Sequence, residues 1–590
     1  MTNPSVSTIY EAVAEPCRNF CILGVTSLTD PKDGREKLVL SNFAAGSTGN
    51  LVFIDVESGE GESVPLPGDS GAWALLQVGD RLLVGTCPKF GYLHSLDLRT
   101  RTWAKPLRVD NELYIWNLTL GSDGLVYGGT YPGCVLVRYD PARHELVSLG
   151  RVSDNPKNMY SRRVYGGAPG YVIVTGGFDT PFLRAWHIET GEYRDFGEPD
   201  AAIREVTDEF ICTEKDGKLR FYDAKTLSPI EDDGTLASKL TVNELTFEGR
   251  RFFGVRLKDG RLAGVRGQQY FIADRSYAAV TLRPIPTPPP PTGIHAIVAA
   301  PDGKLWGSSG FGQTIFSYDP KTGTYWNSMT VCNAGGEVYG MAFVGEELYL
   351  TAYSGGDHVV YRPGDPWDQW NNVNPRTLRS VGPDLIRPLG RSVVGPDGGI
   401  WTGWSAKYGV YGGGLSRIDP VSKEVAVWHD PVPGQQVISV TADDRYVYFT
   451  TDGGGNGLAM KDEPCHFVVW DCAGEIRHLH RFARNEKVGR AFAAGGRVFV
   501  RVNDTLAVFD RDELAFTRTI ALGQGCSCFL RFDETTVFAF CDSDLFRLDV
   551  ATCAAERIGK LPGIVTSATV TPDGTVYFHT HGTTLYRLVV

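Results

Sequence analysis

The side chains that could do chemistry gather in the second half of the chain. His295, Tyr339, Arg391 and Tyr408 are the candidate catalytic groups, and Phe311, Tyr353, His358, Arg387 and Trp404 the candidate substrate contacts. An imidazole, with an ordinary pKa of about 6.5, exchanges a proton near neutrality. A guanidinium stays charged, so it can hold a carboxylate and the enolate left when the neighbouring proton departs. A phenol can protonate a leaving oxygen, and an aromatic ring can stack under a sugar. Together these groups suit β-elimination on a uronic acid: arginine neutralises the carboxylate, histidine or tyrosine removes the α-proton, and tyrosine serves the leaving group.

Other chemistries are poorly supplied. No nucleophile elbow, phosphate loop, dinucleotide fingerprint or metalloprotease helix is written in the chain. No closely set Asp/Glu pair recurs at the candidate positions, which weakens a hydrolase reading. His579 and His581 in "FHTHG" alternate onto one strand face but lack a third ligand in sequence. No cofactor is therefore expected, a divalent metal being the alternative left open. The first half offers Trp73, Trp116, Asn117, Arg162, Arg163, Tyr131, Phe178 and Asp179 at comparable positions, a set poorer in acid/base types.

The elements that must position these residues are repeated strands. "PDG" or "SDG" turns separate short β-branched and aromatic runs such as "KLWGSS", "LVYGGT" and "TVYFHT". An aspartate marks the end of a strand in "VFIDVESGE" (Asp55), "HSLDLRT" (Asp97), "VRYDPARHE" (Asp140), "RFYDAKT" (Asp223), "FSYDPKTG" (Asp319), "SRIDPVSKE" (Asp419), "AVFDRDE" (Asp510) and "FRLDVAT" (Asp549). A spacing of about 40–45 residues with four strands per unit is the signature of β-propeller blades. The expected fold is all-β: two tandem β-propellers of six or seven four-stranded blades each, seven in the second. The proline-rich "RPIPTPPPPTG" falls near the midpoint and reads as an extended spacer. The expected divisions are an N-terminal propeller over 1–283, a linker over 284–293 and a C-terminal propeller over 294–590. Propellers bind at one channel mouth, where innermost strands begin and the loops after second strands turn. The candidate residues were chosen on that alignment.

Composition bounds the partners. With 590 residues, 42% apolar, 22% charged and a net charge of -11, the chain reads as globular and unsuited to nucleic acid, whose phosphates need a basic face. No run of about 18 apolar residues suggests a membrane span, and the N-terminus lacks the pattern of a signal peptide. The 12 cysteines are scattered and read as reduced, small buried residues of a cytoplasmic protein.

The units "PDGKLWGSS…IFSYDPKTG" and "GPDGGIWTGW…LSRIDPVSKE" resemble those of streptogramin lyase-like and gluconolactonase-like propellers. Tyr339 to about Asp510, with "NPRTLRSVG", "RPLGRSVVGPDGGIW" and "KYGVYGGGLSRIDP", is similar to bacterial double-propeller proteins of poorly defined role. The resemblance implies a fold, and by analogy with propeller lyases it is compatible with elimination chemistry. The expected function is a carbohydrate-active lyase, acting at the C-terminal channel mouth on a glycoside or uronic-acid-containing oligosaccharide. The partner implied is that small-molecule or oligosaccharide substrate. The alternative is a non-catalytic scaffold that binds another protein.

Overall fold

Two aspartate-based turns account for the repeat. In Pro301-Asp302-Gly303-Lys304 the Asp302 carboxylate accepts the Lys304 N–H at 3.0 Å, and Gly303 sits at φ +88°, a conformation glycine adopts without strain. Asp123, Asp397 and Asp573 take the backbone N–H two residues on in the same way, each at 3.1 Å. The second device is the strand-end aspartate. Asp55 accepts the N–H of Glu57 at 3.1 Å and Ser58 at 2.8 Å. Asp97, Asp223, Asp419 and Asp510 do the same for the residues two and three places on. A short acceptor at this position caps the strand and turns the chain into the next one.

The computed structural model describes residues 8–332 and 335–589 and is all-β. Its strands form antiparallel sheets, mostly of four, and a single short 3₁₀ turn, Ala237–Lys239, is the helical content among the described residues. The chain divides into two compact units, Phe20–Pro290 on the one hand and Met1–Asn19 with Pro291–Val590 on the other.

Among the described residues the unit Phe20–Pro290 holds six sheets, beginning with Ile22–Thr29, Glu36–Asn42, Asn50–Asp55 and Gly61–Pro65, and ending with a five-stranded sheet that closes on Val280–Pro284. The other unit holds seven. In the last of these Ser567–Val570, Val576–His579 and Leu585–Leu588 are joined by Tyr10–Ala14 from the start of the chain, with Tyr10 opposite Leu588 and Ala12 opposite Tyr586. The expected boundary therefore shifts: residues 1–19, read with the N-terminal half, group with the C-terminal one. The proline-rich stretch is also less of a free spacer than its composition suggests. Pro284 ends a strand, Ile285 is buried in the core of Phe20–Pro290, and Pro291 pairs with Arg18.

The core lies between successive sheets. Phe499, Leu506 and Val508 of one sheet, for example, pack with Val537, Ala539 and Leu548 of the next, and burial of each of the larger side chains contributes about 1.5–3 kcal/mol. In the larger unit the first strands are neighbours in series: Ile294–Ala299 beside Val338–Val344, on through Gln436–Ala442, Val488–Ala494 and Cys526–Arg531 to Ser567–Val570, which in turn neighbours Ile294–Ala299. Cys526 and Cys541, facing each other on adjacent strands, form a disulfide. The expectation that all 12 are reduced is corrected at this pair. No helix among the described residues is long and apolar enough to cross a membrane.

Candidate functional site

Two neighbouring sheets of the larger unit bring a chain of titratable groups together. Glu337 and Tyr339 stand at the start of Val338–Val344, and Tyr353 directly follows the next strand, Glu347–Ala352. The Tyr353 N–H donates to the Glu337 carbonyl at 2.9 Å, so strand pairing itself brings these residues side by side. From the adjacent sheet come Arg387, the last residue of Leu385–Arg387, and Tyr408, just beyond Ile400–Ala406. Arg387 donates through Nη2 to the Tyr408 hydroxyl at 2.9 Å, and the Tyr408 and Tyr353 hydroxyls are also 2.9 Å apart. The Arg387 guanidinium lies over the Tyr353 ring, 4.3 Å from its centroid, a favourable cation–π arrangement. Tyr408, 52% exposed, carries this chain out to solvent.

The electrostatics of the cluster follow from enclosure. Glu337 is 8% exposed and its Oε2 has no hydrogen-bond partner among the described residues. Burial pushes its carboxyl up to about 7, with Arg387 pulling the other way. Burial raises the Tyr339 phenol, and the nearby Glu337 carboxylate adds to that rise. Tyr353 is pushed up to about 12, first by burial and then by its hydrogen bond to Tyr408. Burial opposes the charge on Arg387, but Tyr339, Tyr408 and Tyr353 outweigh it and hold the guanidinium above its ordinary value. A carboxyl poised near neutrality beside a fixed cation is a competent proton acceptor.

Beside this cluster is a cavity of about 230 Å³ lined by residues from all seven sheets of the unit, in the third from Ser392–Val394 and the turn before it. Tyr339 lines it and connects it to the cluster above. The His295 ring meets Tyr339 edge-on at 4.3 Å between centroids, and its Nε2 has no hydrogen-bond partner among the described residues. Burial, then the charge on Arg391, hold the His295 imidazole well below its ordinary value. It is thus a neutral ring at physiological pH, not the readily exchanging imidazole its type suggests. Arg391 and Arg490 line the cavity beside Cys528.

The candidate residues therefore separate. Tyr339, Tyr353, Arg387 and Tyr408 form the cluster, Arg391 lines the cavity, and His295 packs against Tyr339 beside it. Phe311 is 37% exposed in its loop, where its carbonyl accepts Asn19 Nδ2 at 2.6 Å. His358 and Trp404, expected as substrate contacts, are fully buried and offer no ring face to a ligand. His358 Nε2 lies 2.8 Å from Ser416 Oγ, to which Trp404 Nε1 donates at 2.7 Å, so both are held in a polar knot inside the sheets. Burial lowers the His358 imidazole to about 4. Glu337 was missed because it precedes the strand-start tyrosine by two residues, and its character comes from burial, which no local motif signals. The signal that could have found it is a lone carboxylate in "GGEVYG", ahead of a strand start already singled out.

In the unit Phe20–Pro290 the comparable positions hold rings. Trp116 stacks on Tyr114 at 4.8 Å and Tyr131 on Tyr160 at 5.1 Å, while Trp73 and Phe178 extend the group and Arg162 lies 5.1 Å from the Trp116 ring. Among the described residues of the chain no group of three or more His, Cys, Asp or Glu is placed to hold a metal ion. No protein-family model matches the chain, and no curated protein matches it in sequence.

Proposed function

We propose that the protein is a carbohydrate-active lyase built on two β-propellers, six blades in Phe20–Pro290 and seven in the other unit, with its site at the channel mouth of the seven-bladed one. The serial neighbourhood of the inner strands, and a cavity touched by residues of all seven sheets, support the closed ring. In the reaction, Arg387 holds the carboxylate of a uronic-acid residue and stabilises the enolate that develops. Glu337 takes the α-proton, and Tyr408 returns a proton to the leaving oxygen. Tyr339 and the neutral His295 form the floor, and Phe311 and Tyr408 offer stacking faces.

The observation that carries this reading is the meeting of Glu337, its carboxyl near 7, with the Arg387–Tyr408–Tyr353 hydrogen-bonded chain. Elimination is favoured over glycoside hydrolysis because the charge acting on Glu337 is a cation, not a second carboxylate. The test is turnover on a panel of uronate-containing oligosaccharides and glycosides, followed by ultraviolet absorbance of the unsaturated product. Glu337→Gln and Arg387→Met are expected to lower turnover by about 10²-fold or more while the protein stays folded. Activity of the wild type is expected to rise with pH through about 7, as Glu337 ionises. Unsaturated product from none of the panel, or undiminished turnover in folded Glu337→Gln, would remove the reading and favour a non-catalytic scaffold.

A further inference from the structure

Arg391 and Arg490 are enclosed by protein yet touch the open space of the cavity. Neither makes an ion pair among the described residues. Arg490 donates through Nη1 to the carbonyls of Leu389 at 3.1 Å and Ile438 at 3.2 Å, which fix its position without neutralising it. Burial, then the charge on Arg391, lower Arg490 to about 10; Arg391 is itself lowered by burial. Two like charges in a shared low-dielectric space destabilise each other and the fold unless a counter-charge is present.

The backbone at Arg391 reinforces the point. Arg391 adopts φ +59°, a left-handed conformation that a side chain of this kind enters at a cost of roughly 1 kcal/mol or more. The turn before it is pressed close, a Cβ on Gly390 meeting the Gly403 backbone at 2.9 Å. The strained turn thus delivers a guanidinium to the cavity rather than satisfying a local need, since glycine would take this conformation freely.

We infer that the cavity is an anion site in which Arg391 and Arg490 together bind a compact dianion of the phosphate or sulfate type. Two cations match two negative charges, and oxygens arranged on a tetrahedron can accept from both guanidinium forks at once. The site uses neither Glu337 nor Arg387 and stands independently of the proposed lyase reaction. Its ligand is a permanent counter-ion or an effector of the unit that surrounds it.

The test is calorimetric titration and thermal unfolding of the full chain with inorganic phosphate and with sulfate. Sodium chloride and sodium acetate at equal ionic strength are the controls. Saturable binding at one site, with Tm raised by about 2 °C or more at saturation, is expected for phosphate or sulfate and not for the controls. Arg490→Met and Arg391→Asn should abolish that rise, asparagine being chosen because it tolerates positive φ. Glu337→Gln should retain it. In anion-free buffer Arg490→Met should melt higher than the wild type, and in saturating phosphate the order should reverse. Should a variant fail to fold, the wild-type titration still decides. No saturable binding to the wild type, an equal response to acetate or chloride, or an undiminished response in folded Arg490→Met would each overturn the inference.

Discussion

The two units are made from the same four-stranded sheets, yet they treat enclosed arginines in opposite ways. In Phe20–Pro290, Arg101 is largely buried and meets Asp30, itself 1% exposed, through Nη2 at 2.5 Å, with Glu62 at 3.0 Å and the Phe53 ring 4.3 Å away. Every feature of its surroundings neutralises it. In the other unit, among the described residues, Arg391 and Arg490 are enclosed without an ion-pair partner, and Glu337 is buried with an oxygen that no group bonds. Compensated charge reads as structure, because the partner is supplied by the chain. Uncompensated charge facing open space reads as a site, because the partner must come from outside. Sheets of one design can thus carry a packing unit and a chemical one, which is why the fold by itself assigns no function.

The sharpest way to break this comparison is to remove the compensated arginine. Arg101→Met leaves Asp30 buried without its cation and is expected to cost about 3–5 kcal/mol. The exposed pair Arg99–Asp80, 2.8 Å apart, supplies the control: Arg99→Ala should cost no more than about 1 kcal/mol. Denaturant unfolding of both variants checks this, with turnover per folded molecule unchanged in each. If Arg101→Met proves as mild as Arg99→Ala, Arg101 is not a structural charge and the contrast between the units fails.

Much of the fold was legible because its signals are local. The strand-end aspartates and the Asp-Gly turns announce themselves through hydrogen bonds that close within three residues, so Asp55, Asp223 and Asp510 mark strand ends in sequence as in space. The pairing of Tyr10–Ala14 with Leu585–Leu588 was not legible, because it joins residues more than 570 apart and no local chemistry encodes it. The site was legible to the extent that it follows strand starts and loops: Tyr339, Tyr353, Arg387 and Tyr408 meet because those positions converge. His358 and Trp404, expected in such loops, lie instead inside the strands Asp357–Tyr361 and Ile400–Ala406 and are buried there, whereas Tyr408 lies just beyond its strand and reaches solvent. Glu337 and the pairing of Arg391 with Arg490 depend on burial and on groups distant in sequence, which composition and periodicity do not report.

A second prediction sharpens the chemical side of the contrast. The Glu337 carboxyl is raised to about 7 in the folded chain, whereas an unfolded glutamate titrates near 4.5. Below about pH 4.5 both states hold the proton and the burial has no ionic cost. As pH rises toward 7 the unfolded state releases its proton first, so stability falls through this window and levels off above it. At about 1.4 kcal/mol per unit the loss is roughly 3.5 kcal/mol. Glu337→Gln should therefore unfold at a similar temperature to the wild type near pH 4.5 and at a higher one near pH 8. Parallel pH profiles for the two proteins would mean that Glu337 is solvated or paired in solution.

The smallest expected effect lies in the aromatic group of Phe20–Pro290. Trp116 is wedged between Trp73, Tyr114 and Tyr160, and its indole N–H is buried with no acceptor among the described residues. Trp116→Phe removes that unsatisfied donor, a gain, and loses part of a ring stack and the Arg162 cation–π contact, a cost of similar size. The two should nearly cancel, leaving a change in stability within about 1 kcal/mol and turnover on the lyase panel within about twofold of the wild type. That outcome fits rings that pack against one another. A tenfold fall in turnover with the fold intact would instead make this cluster part of substrate handling, and the division between a packing unit and a chemical unit would have to be abandoned. The same substitution thus separates the two readings of the aromatic group by activity, since stability is expected to move little under either.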